Sequence, residues 1–194
     1  MRFLYERGGN MYSIYVFQDM IQKEIEQVFN HLYSGVTFHY LSSSILKIEV
    51  ELAVFEEWID CQMIHGSIVS DFGVDTTIVE INDIAFSFLT EDMIVQYLPS
   101  LERKAYQINS LLIALSRHLK PKQLLKRQLV DYIGQEYIST ILTIGKMNMN
   151  FSMTAKALFL HRNSLNYRVD KIKQKTSIDV RTFQGLRAFI SILE

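Results

Sequence analysis

The chain has 194 residues, 48% of them hydrophobic and 21% charged, enough length and apolar material for one domain or two small ones with real cores, which excludes a disordered chain. Its net charge of −1 conceals a division near residue 115: 6 Lys and Arg stand against 16 Asp and Glu before it (net −10), and 14 against 5 after it (net +9). A polyanion is therefore an expected partner of the C-terminal part and not of the whole chain.

The predicted elements follow in order. In VFQDMIQKEIEQVFNHLY, Phe17, Ile21, Ile25, Val28 and Leu32 recur at three- and four-residue spacings, which predicts an amphipathic helix over 16–33. After Gly35 the period shortens. VTFHYL and ILKIEVEL read as strands, the second alternating Leu46, Ile48, Val50 and Leu52 with Lys47, Glu49 and Glu51, and SSS between them reads as a hairpin loop. AVFEEWIDCQMIHGSIV returns to helical spacing, and TTIVEI with IAFSFL predicts one or two strands around Asn82 and Asp83. Residues 1–90 are thus expected to form a small mixed α+β region with a sensory or dimerisation role.

From Thr90, an N-cap followed by Glu91 and Asp92, only helices are expected. A longer one runs from Pro99 through LERKAYQINSLLIALSRHLK and stops at Pro121, with His118 and Lys120 near its negative end. Residues 91–128 form a helical connector in this reading, and 129–194 an all-α domain that begins with one or two helices broken at Gly134.

Within that domain, Ser152 is expected to cap a short helix that turns Ala155, Leu158 and Phe159 toward a neighbour. The chain turns at Leu160 or His161, and RNSLNYRVDKIKQK resumes with Leu165, Val169 and Ile172 at i, i+4 and i+7. Those three define one buried stripe; Asn163, Tyr167, Asp170 and Gln174 fall opposite. Two short helices, a tight turn and a polar outer face make a helix-turn-helix, whose second helix offers its first residues to base edges in the major groove. Arg can bridge guanine O6 and N7, Asn can bridge adenine N6 and N7, and Ser serves either.

The run SMTAKALFLHRNSLNYRVDKI resembles the C-terminal helix-turn-helix of bacterial transcription regulators of the PucR/CdaR type. Ser152, Thr154, Ala155, Lys156, Leu158, Phe159, His161, Arg162, Asn163, Ser164, Leu165, Tyr167, Arg168 and Val169 carry the resemblance. It extends from a helix near 135 to a closing helix after Thr182. The resemblance implies sequence-specific binding of double-stranded DNA and transcriptional control, usually as an oligomer and under an N-terminal sensory region. Family members often have Gly in the loop before the capping Ser; here Met149 stands near that place, so the loop is expected to turn without a positive φ.

The candidate DNA-binding residues are Ser152, Thr154, Lys156, His161, Arg162, Asn163, Ser164, Asn166, Tyr167, Arg168 and Lys171, on a recognition helix of about 162–175 and the turn before it. Arg162 and Asn163 lead the base-reading set, His161 is read as a capping or turn residue, and Asp170 as a group that orients a nearby Lys or Arg. A homodimer on paired half-sites is expected, with an effector or protein partner left open. No catalytic, metal or cofactor site is expected: His31, His39, His65 and His118 show no ligand spacing, Cys61 with His65 lacks a third partner, and Glu56, Glu57 and Asp60 read as a solvated helix face. Gly8 and Gly9 read as an ordinary turn. With no apolar run of the roughly 18 to 20 residues of a spanning helix, no signal-peptide pattern in MRFLYERGGNMYSIYV and a single cysteine, a cytoplasmic location away from membranes is expected. Two rival readings stay open: an adaptor that docks the helix-turn-helix on another protein, marked by salt-insensitive binding without duplex affinity, and a ligand-binding N-terminal domain with a targeting C-terminus, marked by a co-purified small molecule.

Overall fold

Strand β1 (Met11–Phe17) lies inside a five-stranded mixed sheet, antiparallel to β3 (Ile45–Glu51) on one side and to β4 (Thr77–Asn82) on the other. The hairpin partner β2 (Gly35–Tyr40) lies outside β3, and the two-residue β5 (Ala105–Tyr106) runs parallel to β4, giving the order β2-β3-β1-β4-β5. The computed structural model describes residues 11–51 and 60–194. These belong to two compact units, one of Met1–Asp83 with Leu98–Gln107 and the other of Ile84–Tyr97 with Ile108–Glu194.

In the sheet unit, helices α1 (Glu24–Leu32) and α2 (Cys61–Phe72) pack on one sheet face. Ile25, Phe29, Ile64 and Ile68 meet Ile14, Val16, Leu46, Ile48, Val50 and Ile78 in a single apolar core. The alternation read from Leu46 to Glu51 is the one observed, Leu52 lying outside the described residues, and the loop at Ser42 is pinned because its hydroxyl accepts from the Ile45 N–H at 3.0 Å. Leu52 to Ile59, with Glu56 and Glu57, and Gly8 and Gly9 lie outside the described residues.

Three sequence expectations are corrected between residues 16 and 106. The helix expected over 16–33 begins only at Glu24, because Val16 and Phe17 finish β1, where two neighbouring strands satisfy the backbone and outweigh the 3.6-residue spacing. Gln18 makes the exit from the strand, its side chain accepting from the Gln22 N–H at 3.0 Å and donating to the Thr76 hydroxyl at 2.9 Å. IAFSFL is not a strand: Asp83–Ser87 is a 3-10 turn, and Ala85, Phe88 and Leu89 are buried at a helical spacing. Strand β5 was not expected at all, since two residues carry no period.

The helical unit opens with α3 (Glu91–Tyr97), where the Met93 N–H reaches the Thr90 hydroxyl at 3.4 Å, as the cap pattern predicted. The helix expected from Pro99 is replaced by a short 3-10 turn, β5 and then α4 (Ile108–Leu115). Pro121 does not stop a helix. It is the third residue of α5 (Leu119–Ile133), where a missing N–H leaves no intrahelical bond unmade, so His118 and Lys120 stand at a helix start. Gly134, at φ 94, separates α5 from α6 (Gln135–Lys146), a conformation that side-chain-bearing residues avoid. Helices α7 (Phe151–Ala157), α8 (Arg162–Thr176) and α9 (Phe183–Leu193) complete the unit. Its core includes Leu111, Leu115, Leu129, Ile141, Leu165, Val169, Phe189 and Ile192. No helix among the described residues is long and apolar enough to cross a membrane.

Candidate nucleic-acid interface

Helix α7 starts after a loop that does turn with positive φ, contrary to expectation: Asn148 and Met149 lie at φ 50 and 61. The Met149 N–H donates to the Ile144 carbonyl at 2.9 Å, so the loop takes up the free carbonyls at the end of α6 without glycine. The cap of α7 is Asn150, not Ser152, its side-chain oxygen accepting from the Met153 N–H at 3.0 Å. Ser152 lies two residues too late, inside the helix and exposed. Asn150→Ala is expected to lower the stability of the helical unit by about 1 kcal/mol and Ser152→Ala to leave it unchanged, as urea unfolding would measure.

Helix α7 ends in a left-handed cap. The Leu160 N–H donates to the Ala155 carbonyl at 2.8 Å and the Phe159 N–H to the Lys156 carbonyl at 3.1 Å, with Phe159 at φ 55. Ala155 is buried as expected and Leu158 half-buried, but Phe159 is 97% exposed rather than packed on a neighbour. A left-handed residue with a Cβ costs about 1 kcal/mol relative to glycine there.

His161 caps α8, its Nδ1 accepting from the Asn163 N–H at 3.2 Å, which requires that nitrogen to be unprotonated. From the cap onward, Leu165, Val169 and Ile172 face inward, joined by Thr176. Arg162, Asn163, Ser164, Asn166 and Tyr167 are exposed. The side chains of Arg162, Asn163, Ser164 and Asn166 make no hydrogen bond among the described residues, so their donors and acceptors are uncommitted. The sequence-predicted set therefore divides. Lys156 is also exposed, whereas Thr154 is fully buried and donates to the Asn150 carbonyl at 2.9 Å. Arg168 is half-buried and turned back to α6, reaching the Thr140 hydroxyl and the Glu136 carboxylate at 3.3 Å each. Lys171 donates to Gln174 at 2.8 Å and stands 5.6 Å from the centroid of the Tyr167 ring. Asp170 holds Arg181 at 2.6 Å, a pairing whose second member the sequence did not identify.

Behind α8 the chain turns a corner into α9. Asp179 accepts from the Arg181 N–H at 3.0 Å and the Lys173 ammonium at 3.1 Å. Thr182 caps α9, its hydroxyl accepting from the Gly185 N–H at 3.0 Å and donating to the Asp179 carbonyl at 2.8 Å. Partial burial pushes the Asp179 carboxyl up, but the Arg181 N–H and the Lys173 and Arg181 charges outweigh it and hold the group below its ordinary 3.8. A depressed carboxylate stabilises the fold fully above about pH 4 and loses that contribution as the pH falls from there through the lowered value. Asp179→Asn is expected to flatten the acid limb of stability against pH, as urea titrations between about pH 5 and 2 would show.

Asp60 caps α2 through the Gln62 N–H at 2.7 Å, and His65 Nε2 bonds the Thr76 carbonyl at 2.9 Å. Burial, with the nearby Glu80 carboxylate, pushes the Cys61 thiol up, away from nucleophile chemistry.

Among known proteins, the model of the PucR C-terminal helix-turn-helix domain matches residues 137–190, from within α6 to within α9. A stretch of 50 residues is 44% identical to the uncharacterized protein YxkF of Bacillus subtilis, covering 26% of this chain and only 17% of that protein. Among solved structures, a regulator of polyketide synthase expression from Bifidobacterium adolescentis is similar with a TM-score of 0.42 and 14% identity, over 98% of this chain and 81% of that one. Residues 137–190 thus carry a helix-turn-helix domain of the PucR type, as the motif suggested.

Proposed function

We propose that the protein is a transcription regulator that binds double-stranded DNA in a sequence-specific manner, with α8 as its recognition helix. One observation carries this reading: Arg162, Asn163, Ser164 and Asn166 stand exposed and uncommitted at the start of a helix whose other face is locked into the core. Side chains of this kind on a rigid support are suited to base edges. In this reading Arg162, Asn163, Ser164 and Asn166 read bases, Lys156, Lys171 and Ser152 meet phosphates, and Tyr167 lies along the groove wall. Thr154, His161 and Arg168 act by holding the two helices in place.

One helix-turn-helix reads few base pairs, so the protein acts as a homodimer on half-sites about one DNA turn apart. Residues 1–90 supply sensing or dimerisation. Selection from a random duplex pool by the purified full-length protein at two salt concentrations tests the reading. A symmetric motif that persists at the higher salt is the expected result; retention that vanishes with salt and yields no motif would end it.

A further inference from the structure

Phe159 has the highest exposure among the described large hydrophobic side chains, 97%, and its backbone is left-handed at φ 55. It stands where helix ends most often place glycine, so two unfavourable features coincide: a Cβ in a conformation that penalises it and an aromatic ring left in water. Neither helps the free protein. Strain maintained at an exposed residue points to a bound state in which the ring is covered.

The surroundings indicate what covers it. Phe159 lies between exposed Lys156, three residues before, and exposed Arg162, three residues after, at the entrance to α8. From 151 to 169 the chain carries Lys156, Arg162 and Arg168 and no Asp or Glu. Two copies joined through this turn would bring Lys156 and Arg162 of each against the same cations of the other. A polyanion with apolar patches between its charges meets no such repulsion, and a duplex is one: sugar rings line its groove edges and thymine methyls its floor.

We propose that Phe159 is a further DNA-contacting residue, whose ring covers apolar duplex surface, a deoxyribose or a thymine methyl, beside the groove that α8 enters. This rests on the DNA-binding reading above and adds to it an apolar contact in the turn. Because the ring is uncharged, it contributes affinity without releasing counterions.

The test uses the full-length protein, Phe159→Gly and Phe159→Asn, both replacements being tolerant of a left-handed backbone. The probe is the duplex that the wild type enriches from the random pool, titrated by fluorescence anisotropy at several salt concentrations. Both variants are expected to melt at or above the wild-type temperature without DNA, to bind about tenfold more weakly, and to keep the wild-type slope of log affinity against log salt. Replacing thymine by deoxyuridine in the probe separates the two surfaces: the wild type loses affinity while the variants do not if the ring meets a methyl, and none of the three responds if it meets a sugar. Affinity within twofold of wild type in both variants would overturn the proposal. So would a lower melting temperature in both, which would assign the ring to the free fold, or loss of the dimer without DNA, which would assign it to a protein contact. A wild type that retains no duplex would instead remove the DNA-binding reading itself.

Discussion

Gly185→Ala is expected to destabilise the helical unit by about 3 kcal/mol or more and to abolish duplex binding with it. A Cβ at this position would stand 2.2 Å from the Asp179 carbonyl oxygen, 2.8 Å from its carbon and 2.9 Å from the Thr182 hydroxyl. The first two are backbone atoms at the corner between α8 and α9 and cannot swing aside. Relief requires α9 to back away, which breaks the bond from the Gly185 N–H to Thr182 and withdraws Leu186, Phe189 and Ile192 from the core. Gly145→Ala is the control. Its Cβ would meet only Ile190, nearest at Cδ1 and 3.1 Å, a flexible side-chain end, and alanine favours the helix, so stability should hold or rise. Urea unfolding followed by circular dichroism measures both; equal midpoints for the two variants would show that the corner is not as tight as the geometry requires.

Arg162→Ala and Asn163→Ala are each expected to reduce the preference for the selected duplex over random duplex by about 1 to 3 kcal/mol, and the double variant by more than either. Both side chains are exposed and uncommitted in the free protein, so their removal leaves the fold intact and the loss appears in binding alone. Lys156→Ala should instead weaken both duplexes alike and lower the salt slope by about 1. Arg168→Ala should act on stability rather than selectivity, since its guanidinium is engaged with Thr140 and Glu136. Competition titrations at fixed salt separate these patterns. An unchanged preference in Arg162→Ala would remove that residue from the base-reading set.

The helix-turn-helix was legible because its signals are local. The stripe of Leu165, Val169 and Ile172, the turn at Leu160 and His161 and the closing helix after Thr182 are each set by residues a few positions apart. The strands β2 and β3 were legible for the same reason: β-branched and aromatic residues in both, an alternation in β3 and a short polar loop between them. Two misreadings arose where a distant partner decides. Val16 and Phe17 became strand because β3 and β4 flank them, and Ala105 and Tyr106 pair with Ile78 and Val79, some 27 positions back. Pro121 and Phe159 were misread differently: proline also suits a first turn, and an aromatic residue in a helical pattern is usually packed, not set left-handed in solvent.

After Asp83 the chain leaves the sheet unit for α3, returns for Leu98–Gln107 and leaves again at Ile108. A fragment beginning at Ile108 would carry the whole helix-turn-helix and yet lack the stretch Ile84–Tyr97, while one ending at Asp83 would lack β5. Neither unit is a continuous piece of sequence, so no single scissile bond separates them: a nick after Tyr97 leaves each fragment holding parts of both. Deletion mapping by simple truncation would therefore report loss of activity from residues that touch no DNA, whereas a domain exchange with a relative needs three junctions, at 83/84, 97/98 and 107/108.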